Sequence, residues 1–208
     1  AWIRERERRV RKEMMTVMEM RESGKSVGSN HVRKAVDFSV EVGEVHALAG
    51  ENGAGKSTLM RILAGVIAHD GGEVLVDGVR LDTGAKNSIA AGIALVHQEL
   101  SLVPEMTVAE NIMLGYAPTR LGFTKSAELN AIATKALDEI GVSVDLDERI
   151  SRLSVALRQF VEIARAVARN PKVLILDEPT ATLTPTETDY LLDMLQRLAA
   201  NGMAIIYT

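Results

Sequence analysis

The run Gly50-Glu-Asn-Gly-Ala-Gly55-Lys56-Ser57 limits what this chain can fold into more than any other feature. It fits G-x-x-x-x-G-K-[ST], a pattern that chance places in on the order of 1% of chains this long. An apolar run, Val45 to Leu48, precedes it, and the segment from Ser57 to Leu63 reads as a helix. That strand, loop and helix order is the setting in which the motif works. Glycines let successive backbone N–H groups turn inward around phosphate oxygens, and the helix N-terminus behind them adds positive potential. Gly50, Glu51, Asn52, Gly53, Ala54 and Gly55 would form the cradle, with Thr58 in the first helical turn. Lys56 would neutralise the β and γ oxygens of a nucleotide, and Ser57 would offer its hydroxyl to Mg²⁺. A dinucleotide loop does not fit, because Gly53-Ala-Gly55 is followed by Lys-Ser-Thr instead of x-x-Gly.

Such a loop needs an acid at the end of a neighbouring strand to hold Mg²⁺ through water, and Val173-Leu-Ile-Leu176 ends in Asp177. Glu178 follows directly. It stands where a group would orient or deprotonate water at the γ-phosphate, which points to hydrolysis over transfer to an organic acceptor. Both continuous apolar runs, Val45 to Leu48 and Val173 to Leu176, predict central parallel strands buried on two faces.

Alternating patterns at Thr16 to Met20, Ala35 to Val42 and Glu73 to Val76 predict an antiparallel patch, with Gly43, Gly71-Gly72 and Gly78 as turns. Helices are predicted after the capping box Thr107-Val-Ala-Glu110, from Ser126 through Ile140, and from Val155 to Arg169. In the last of these, Phe160, Ile163, Ala164 and Val167 form one apolar stripe. A second capping box with proline at the first position, Thr184-Pro185-Thr-Glu187, opens a helix to about Ala200, and Met203 to Tyr207 re-enters a strand.

Composition removes other classes of function. The 208 residues contain no cysteine, so disulfides, thiolate metal sites and cysteine nucleophiles are excluded. His31, His46, His69 and His97 lack metal-ligand spacing. Residues 1–25 hold 8 Lys/Arg against 5 Asp/Glu, and the remainder holds 16 against 23. The acidic body argues against a nucleic-acid partner. Residues 1–15 read as a charged extension, with Glu5/Arg9 and Glu7/Arg11 at helical pair spacing, ahead of a domain over residues 16–208. No apolar run approaches the roughly 18 residues a spanning helix needs, and the charged start carries no secretion signal.

Taken with Leu153-Ser154 upstream, Asp177-Glu-Pro-Thr180 resembles the ordered landmarks of the ATPase subunits of ABC transporters. The resemblance covers all but the charged N-terminus. Val96-His-Gln98-Glu-Leu-Ser-Leu-Val-Pro104, Val108-Ala-Glu-Asn111, Leu153-Ser-Val-Ala156 and Val161-Glu-Ile-Ala164 narrow it to the carbohydrate-importer branch. The resemblance implies an α/β P-loop NTPase with a RecA-like core, an antiparallel β subdomain and an inserted α-helical subdomain over about residues 99–169. It implies ATP and Mg²⁺ as cofactors, with Glu178 and Gln98 catalytic and Ser57, Gln98 and Asp177 at the metal. It also implies a second cassette whose nucleotide Ser154, Val155 and Ala156 would cap, a transmembrane permease touching the segment after Gln98, and a periplasmic sugar-binding protein. The location implied is the cytoplasmic face of a bacterial inner membrane. By this resemblance the chain is the N-terminal cassette of a pair and stops before the family's switch histidine.

The chain departs from the family pattern at particular places. Leu157 stands where the signature usually has glutamine, and Val27 where an adenine-stacking aromatic is usual. The loop Ala181-Thr-Leu-Thr184 lacks its usual serine start. The expected function is ATP hydrolysis that energises import of a sugar through a permease. Two rivals stand beside it: an ABC-type ATPase of translation or DNA repair, and a cassette fragment that binds MgATP but turns it over poorly.

Overall fold

Two sheets of opposite character organise the chain, as the two kinds of apolar pattern require. The computed structural model describes residues 16–24, 36–51, 55–68, 71–115, 119–120, 123–124 and 126–208. In order, β1 (Thr16–Gly24), β2 (Val36–Glu41) and β3 (Val45–Ala47) lead into α1 (Lys56–Leu63). Next come β4 (Gly71–Val76), β5 (Val79–Arg80), α2 (Ala85–Ala90) and β6 (Ile93–Val96). The middle of the chain holds α3 (Val108–Ile112), a small hairpin of β7 (Thr119–Arg120) and β8 (Phe123–Thr124), and α4 (Ser126–Ile140). A 3-10 turn at Ile150–Arg152 precedes α5 (Val155–Val167), then β9 (Val173–Leu176), α6 (Pro185–Ala200) and β10 (Ala204–Tyr207).

The antiparallel sheet has the order β2-β1-β4-β5 and the parallel sheet β3-β10-β9-β6. Successive side chains of a strand point to opposite faces, so the all-apolar run of β9 serves two cores. Val173 and Ile175, with Ile93, Ala204 and Ile206, pack with Met60 and Leu63 of α1 and with Met18, Met20, Val74 and Val76 of the antiparallel sheet. Leu174 and Leu176, with Val96 and Ile205, face a second core built from α3, α4, α5 and α6. The helices between β6 and β9 therefore share one apolar cluster with α6 and the parallel sheet.

Most of the expected elements are present, with two corrections. Val45 to Leu48 does not make a central strand. Among the described residues β3 pairs only with β10, and Val45 is 36% exposed. β10 intervenes between β3 and β9, so only β9 and β10 have neighbours on both sides. Gly71 and Gly72, expected in a turn, instead open β4, and the tight turn falls at Asp77-Gly78. The strand β6 was hidden in the apolar run ending at Val96. Gly92, at φ 83°, ends that run's helical part, and its carbonyl accepts from the N–H groups of Lys172 and Val173 at 2.7 and 3.1 Å. A Cβ there would meet the Lys172 side chain at 3.1 Å, so glycine lets β6 start flush against β9.

The helix starts follow their caps. Thr107 accepts from the Glu110 N–H at 3.2 Å while Glu110 accepts from the Thr107 N–H at 2.8 Å. Thr184 and Glu187 repeat the arrangement at the start of α6, and that backbone bond holds the Glu187 carboxyl below its usual range. The charged extension over residues 1–15 lies outside the described residues.

Candidate functional site

Register in the parallel sheet brings the chemistry-bearing residues to one edge. Tyr207 lies opposite Ala47 and Leu176, and Leu176 lies opposite Val96. The residues that follow these strand ends, Leu48, Thr208, Asp177 and His97, therefore leave the sheet at the same level. The ladder extends one step past the strands, with the Leu48 N–H donating to the Tyr207 carbonyl at 2.7 Å and the Asp177 N–H to the Val96 carbonyl at 3.0 Å. Ligands of open α/β sheets bind outside the carboxyl ends of the strands.

The described residues of this edge have definite places. Gly55 caps α1 at φ 89° with nothing within 4 Å of where a Cβ would stand, a backbone state that glycine adopts freely. Lys56 Nζ donates to the carbonyls of Gly50 at 2.6 Å and Glu51 at 3.1 Å, which turns the ammonium back toward the residues that follow β3. Ser57 Oγ donates to Asp177 Oδ1 at 3.1 Å, joining residues 120 positions apart. Asp177 is only 6% exposed. Gln98 Nε2 donates to Glu178 Oε2 at 2.7 Å. Glu178 itself sits at φ 47°, a left-handed conformation that costs a non-glycine residue on the order of 1–2 kcal/mol. Thr58 is half-buried in the first turn of α1.

The residues of the signature segment do not join this cluster within the chain. Ser154 caps α5, its hydroxyl accepting from the Leu157 N–H at 3.3 Å. The first intrahelical bond runs from the Arg158 N–H to the Ser154 carbonyl, so the N–H groups of Val155 and Ala156 precede the ladder. Val155 is 50% exposed, whereas the Ala156 methyl packs into the helical core. Leu157 packs partly against the same core. Asn52, Gly53, Ala54, Val27, His31 and His69 lie outside the described residues. His46 pairs with Glu44 at 3.0 Å and meets Phe38 edge-on, while His97 is exposed. Among the described residues no group of three His, Asp or Glu side chains could hold a metal by itself.

Sequence reasoning missed a polar link behind Gln98. Glu162, 3% exposed on α5, pairs with Arg165 and accepts from Ser101 Oγ at 2.9 Å. Arg165 also donates to the Ser101 carbonyl at 3.2 Å. A signal was available, since Glu162 sets a carboxylate among the apolar residues of this helix with an arginine three positions on. Thr208, discussed below, carried no comparable signal.

An open α/β sheet with a G-x-x-x-x-G-K-S loop at one strand end, a helix starting at its lysine and a buried aspartate at a neighbouring strand end defines the P-loop NTPases. Within that class, residues 33–181 match the ABC transporter family, and the chain belongs to it. It is 50% identical over 173 residues to an arabinose import ATP-binding protein of Burkholderia cenocepacia, covering 83% of this chain and 34% of that protein. It is 44% identical over 192 residues to a ribose import ATP-binding protein of Escherichia coli O157:H7, covering 92% of this chain and 38% of that one. The chain thus spans a little over a third of the length of these curated relatives. The crystal structure of an ATP-binding cassette of an ABC transporter in its ADP conformation superposes with a TM-score of 0.82 at 26% identity, over 93% of this chain and 80% of the other.

Proposed function

We propose that this chain is an ATP-binding and hydrolysing cassette that energises import of a sugar through a membrane permease. The observation that carries the reading is the convergence of Lys56, the Ser57–Asp177 pair and the Gln98–Glu178 pair at one sheet edge. The sugar is supported by the arabinose and ribose import ATP-binding proteins to which the chain is similar.

The roles follow from the chemistry of each group. The backbone of Gly50 to Gly55 and the N-terminus of α1 bind the phosphates, and Lys56 neutralises the β and γ oxygens. The donor set fits Mg²⁺: a hydroxyl and a carboxylate are both hard oxygen ligands, and such an ion takes only one or two protein groups beside phosphates and water. Ser57 directly, and Asp177 with Gln98 through water, would hold that ion, whose charge would offset the negative charge developing on the phosphate. Glu178 accepts the proton of the attacking water, and the Gln98 amide on Oε2 leaves Oε1 as the receiving oxygen. The water oxygen bonds to the γ-phosphorus as the bond to the β-bridging oxygen breaks, releasing ADP and phosphate.

Ser154 and the N–H groups of Val155 and Ala156 would cap the nucleotide of a second cassette, since they precede the hydrogen-bond ladder at a helix N-terminus apart from the chain's own phosphate loop. The permease would touch the segment after Gln98, where Val103 stands exposed. Among the described residues no helix is long and apolar enough to cross a membrane. A peripheral place on the cytoplasmic face, with a periplasmic sugar-binding protein delivering cargo, fits this division of labour. Calorimetry tests the core of the reading. MgATP binds the wild-type chain and Lys56→Ala abolishes the binding, whereas undiminished affinity in the variant refutes it.

A further inference from the structure

We infer that Thr208 is a positioning residue of the hydrolytic site, holding both acids in their working orientation through one hydroxyl. The inference rests on the reading of this edge as a nucleotide-hydrolysing site and assigns that site a residue outside its sequence motifs.

Thr208 follows β10, which lies between β3 and β9. Its backbone is fixed by the sheet, since Tyr207 pairs with Leu176 and the Thr208 N–H donates to the Leu176 carbonyl at 3.3 Å. A β-branched side chain has few rotamers, so the hydroxyl's position follows closely from that backbone. The Glu178 N–H donates to Thr208 Oγ1 at 2.8 Å. Thr208 Oγ1 in turn donates to Asp177 Oδ1 at 3.4 Å. One hydroxyl thus serves as acceptor for the residue that would activate water and as donor to the residue that would hold the ion.

Both contacts act where the local geometry needs support. Glu178 is held in the left-handed region at φ 47°, and such a conformation persists where the surroundings fix it. The bond to its N–H supplies that restraint and aims the side chain toward Gln98 Nε2 at 2.7 Å. Asp177 receives Ser57 Oγ and Thr208 Oγ1 on the same oxygen, Oδ1, which fixes the plane of the carboxylate. The two hydroxyls approach from different elements, one from α1 and one from the end of β10, so neither alone sets that plane. Valine has the shape of threonine and neither hydrogen-bonding function, while serine keeps the hydroxyl and drops a methyl group. The pair therefore separates hydroxyl chemistry from packing.

The experiment compares the wild-type chain, Thr208→Val and Thr208→Ser in calorimetric titrations with ADP, with and without Mg²⁺, and in steady-state ATP hydrolysis. Thr208→Val should leave affinity for ADP alone within about twofold, because the phosphate loop is untouched, and should shrink the affinity gain from Mg²⁺ about threefold. It should lower kcat about tenfold with KM within about twofold, the signature of an interaction that matters in the transition state. Thr208→Ser should restore both quantities. Equal behaviour of all three chains overturns the inference, as does a serine variant that fails to rescue. A valine variant that weakens metal-free ADP binding and lowers the melting temperature in parallel also overturns it, since that pattern marks a packing role. If the wild-type chain itself binds no nucleotide, the reading of the site fails together with the inference; if it binds and the variants match it, only the inference fails.

Discussion

The carboxyl edge of the parallel sheet and the N-terminus of α5 are the two places proposed to meet a phosphate, yet they differ in how complete they are. At the sheet edge, the start of α1 and the segments after β6 and β9 contribute Lys56, Ser57, Gln98, Asp177 and Glu178, and hydrogen bonds link groups 120 and 80 positions apart. At the N-terminus of α5, Ser154 caps its own helix, Val155 is exposed, and among the described residues no acid or lysine bonds to Ser154. A sheet gathers distant residues because its register sets their loops at one level. A helix start gathers only its neighbours, so its donors act on whatever another surface brings to them.

That contrast can be broken or sharpened by substitution. The largest effect belongs to Glu178→Gln at the sheet edge, where loss of the proton acceptor should lower turnover by about 10²–10⁴-fold with MgATP binding retained, read by steady-state kinetics beside calorimetry. Lys56→Ala should weaken nucleotide binding by roughly 100-fold or more, because a charge-assisted contact to the phosphates would be removed. Asp177→Asn should cut the Mg²⁺-dependent part of the affinity about tenfold while leaving metal-free ADP binding nearly unchanged. At the N-terminus of α5, Ser154→Ala should leave the affinity of a single chain for nucleotide within about twofold. It should cost about 1 kcal/mol of stability through the lost cap, seen as a melting shift of roughly 2–4 °C.

The smallest effect lies far from both regions, at the start of α6. The Thr184 N–H and hydroxyl hold the Glu187 carboxyl below its ordinary range. A lowered folded-state value means that the stabilisation is present above the carboxylate's unfolded range and is lost as the pH falls through the lowered value. Glu187→Gln should therefore lower the melting temperature slightly at neutral pH and leave it almost unchanged in acid, flattening the acid limb of the profile.

Much of this was legible from local pattern alone. The strand ending in Asp177 and the helices capped by Thr107, Ser154 and Thr184 depend on residues close in sequence, and each stands where the pattern put it. What failed depended on neighbours. Val45 to Leu48 reads as a buried central strand, but whether a strand is central is decided by which others pair with it, and β10 takes the place beside β9. β6 was obscured because Gly92 joins a short helix to a short strand within one apolar run. The two motifs placed Ser57 and Asp177 at one ion without their direct hydrogen bond, and the contact of Thr208 with both acids has no local signature. It exists only because β10 is inserted next to β9 in register.

The division between a self-contained sheet edge and an α5 N-terminus offered to another chain is tested most directly by mixing two disabled chains. Lys56→Ala loses the sheet-edge half and keeps Ser154, while Ser154→Ala keeps the sheet-edge half and loses the cap it would lend. If each hydrolytic site joins the sheet edge of one chain to the α5 N-terminus of another, an equimolar mixture should hydrolyse ATP faster than either variant alone at the same total concentration. A mixture whose rate is only the average of the two separate rates would contradict that division and place the whole site within one chain.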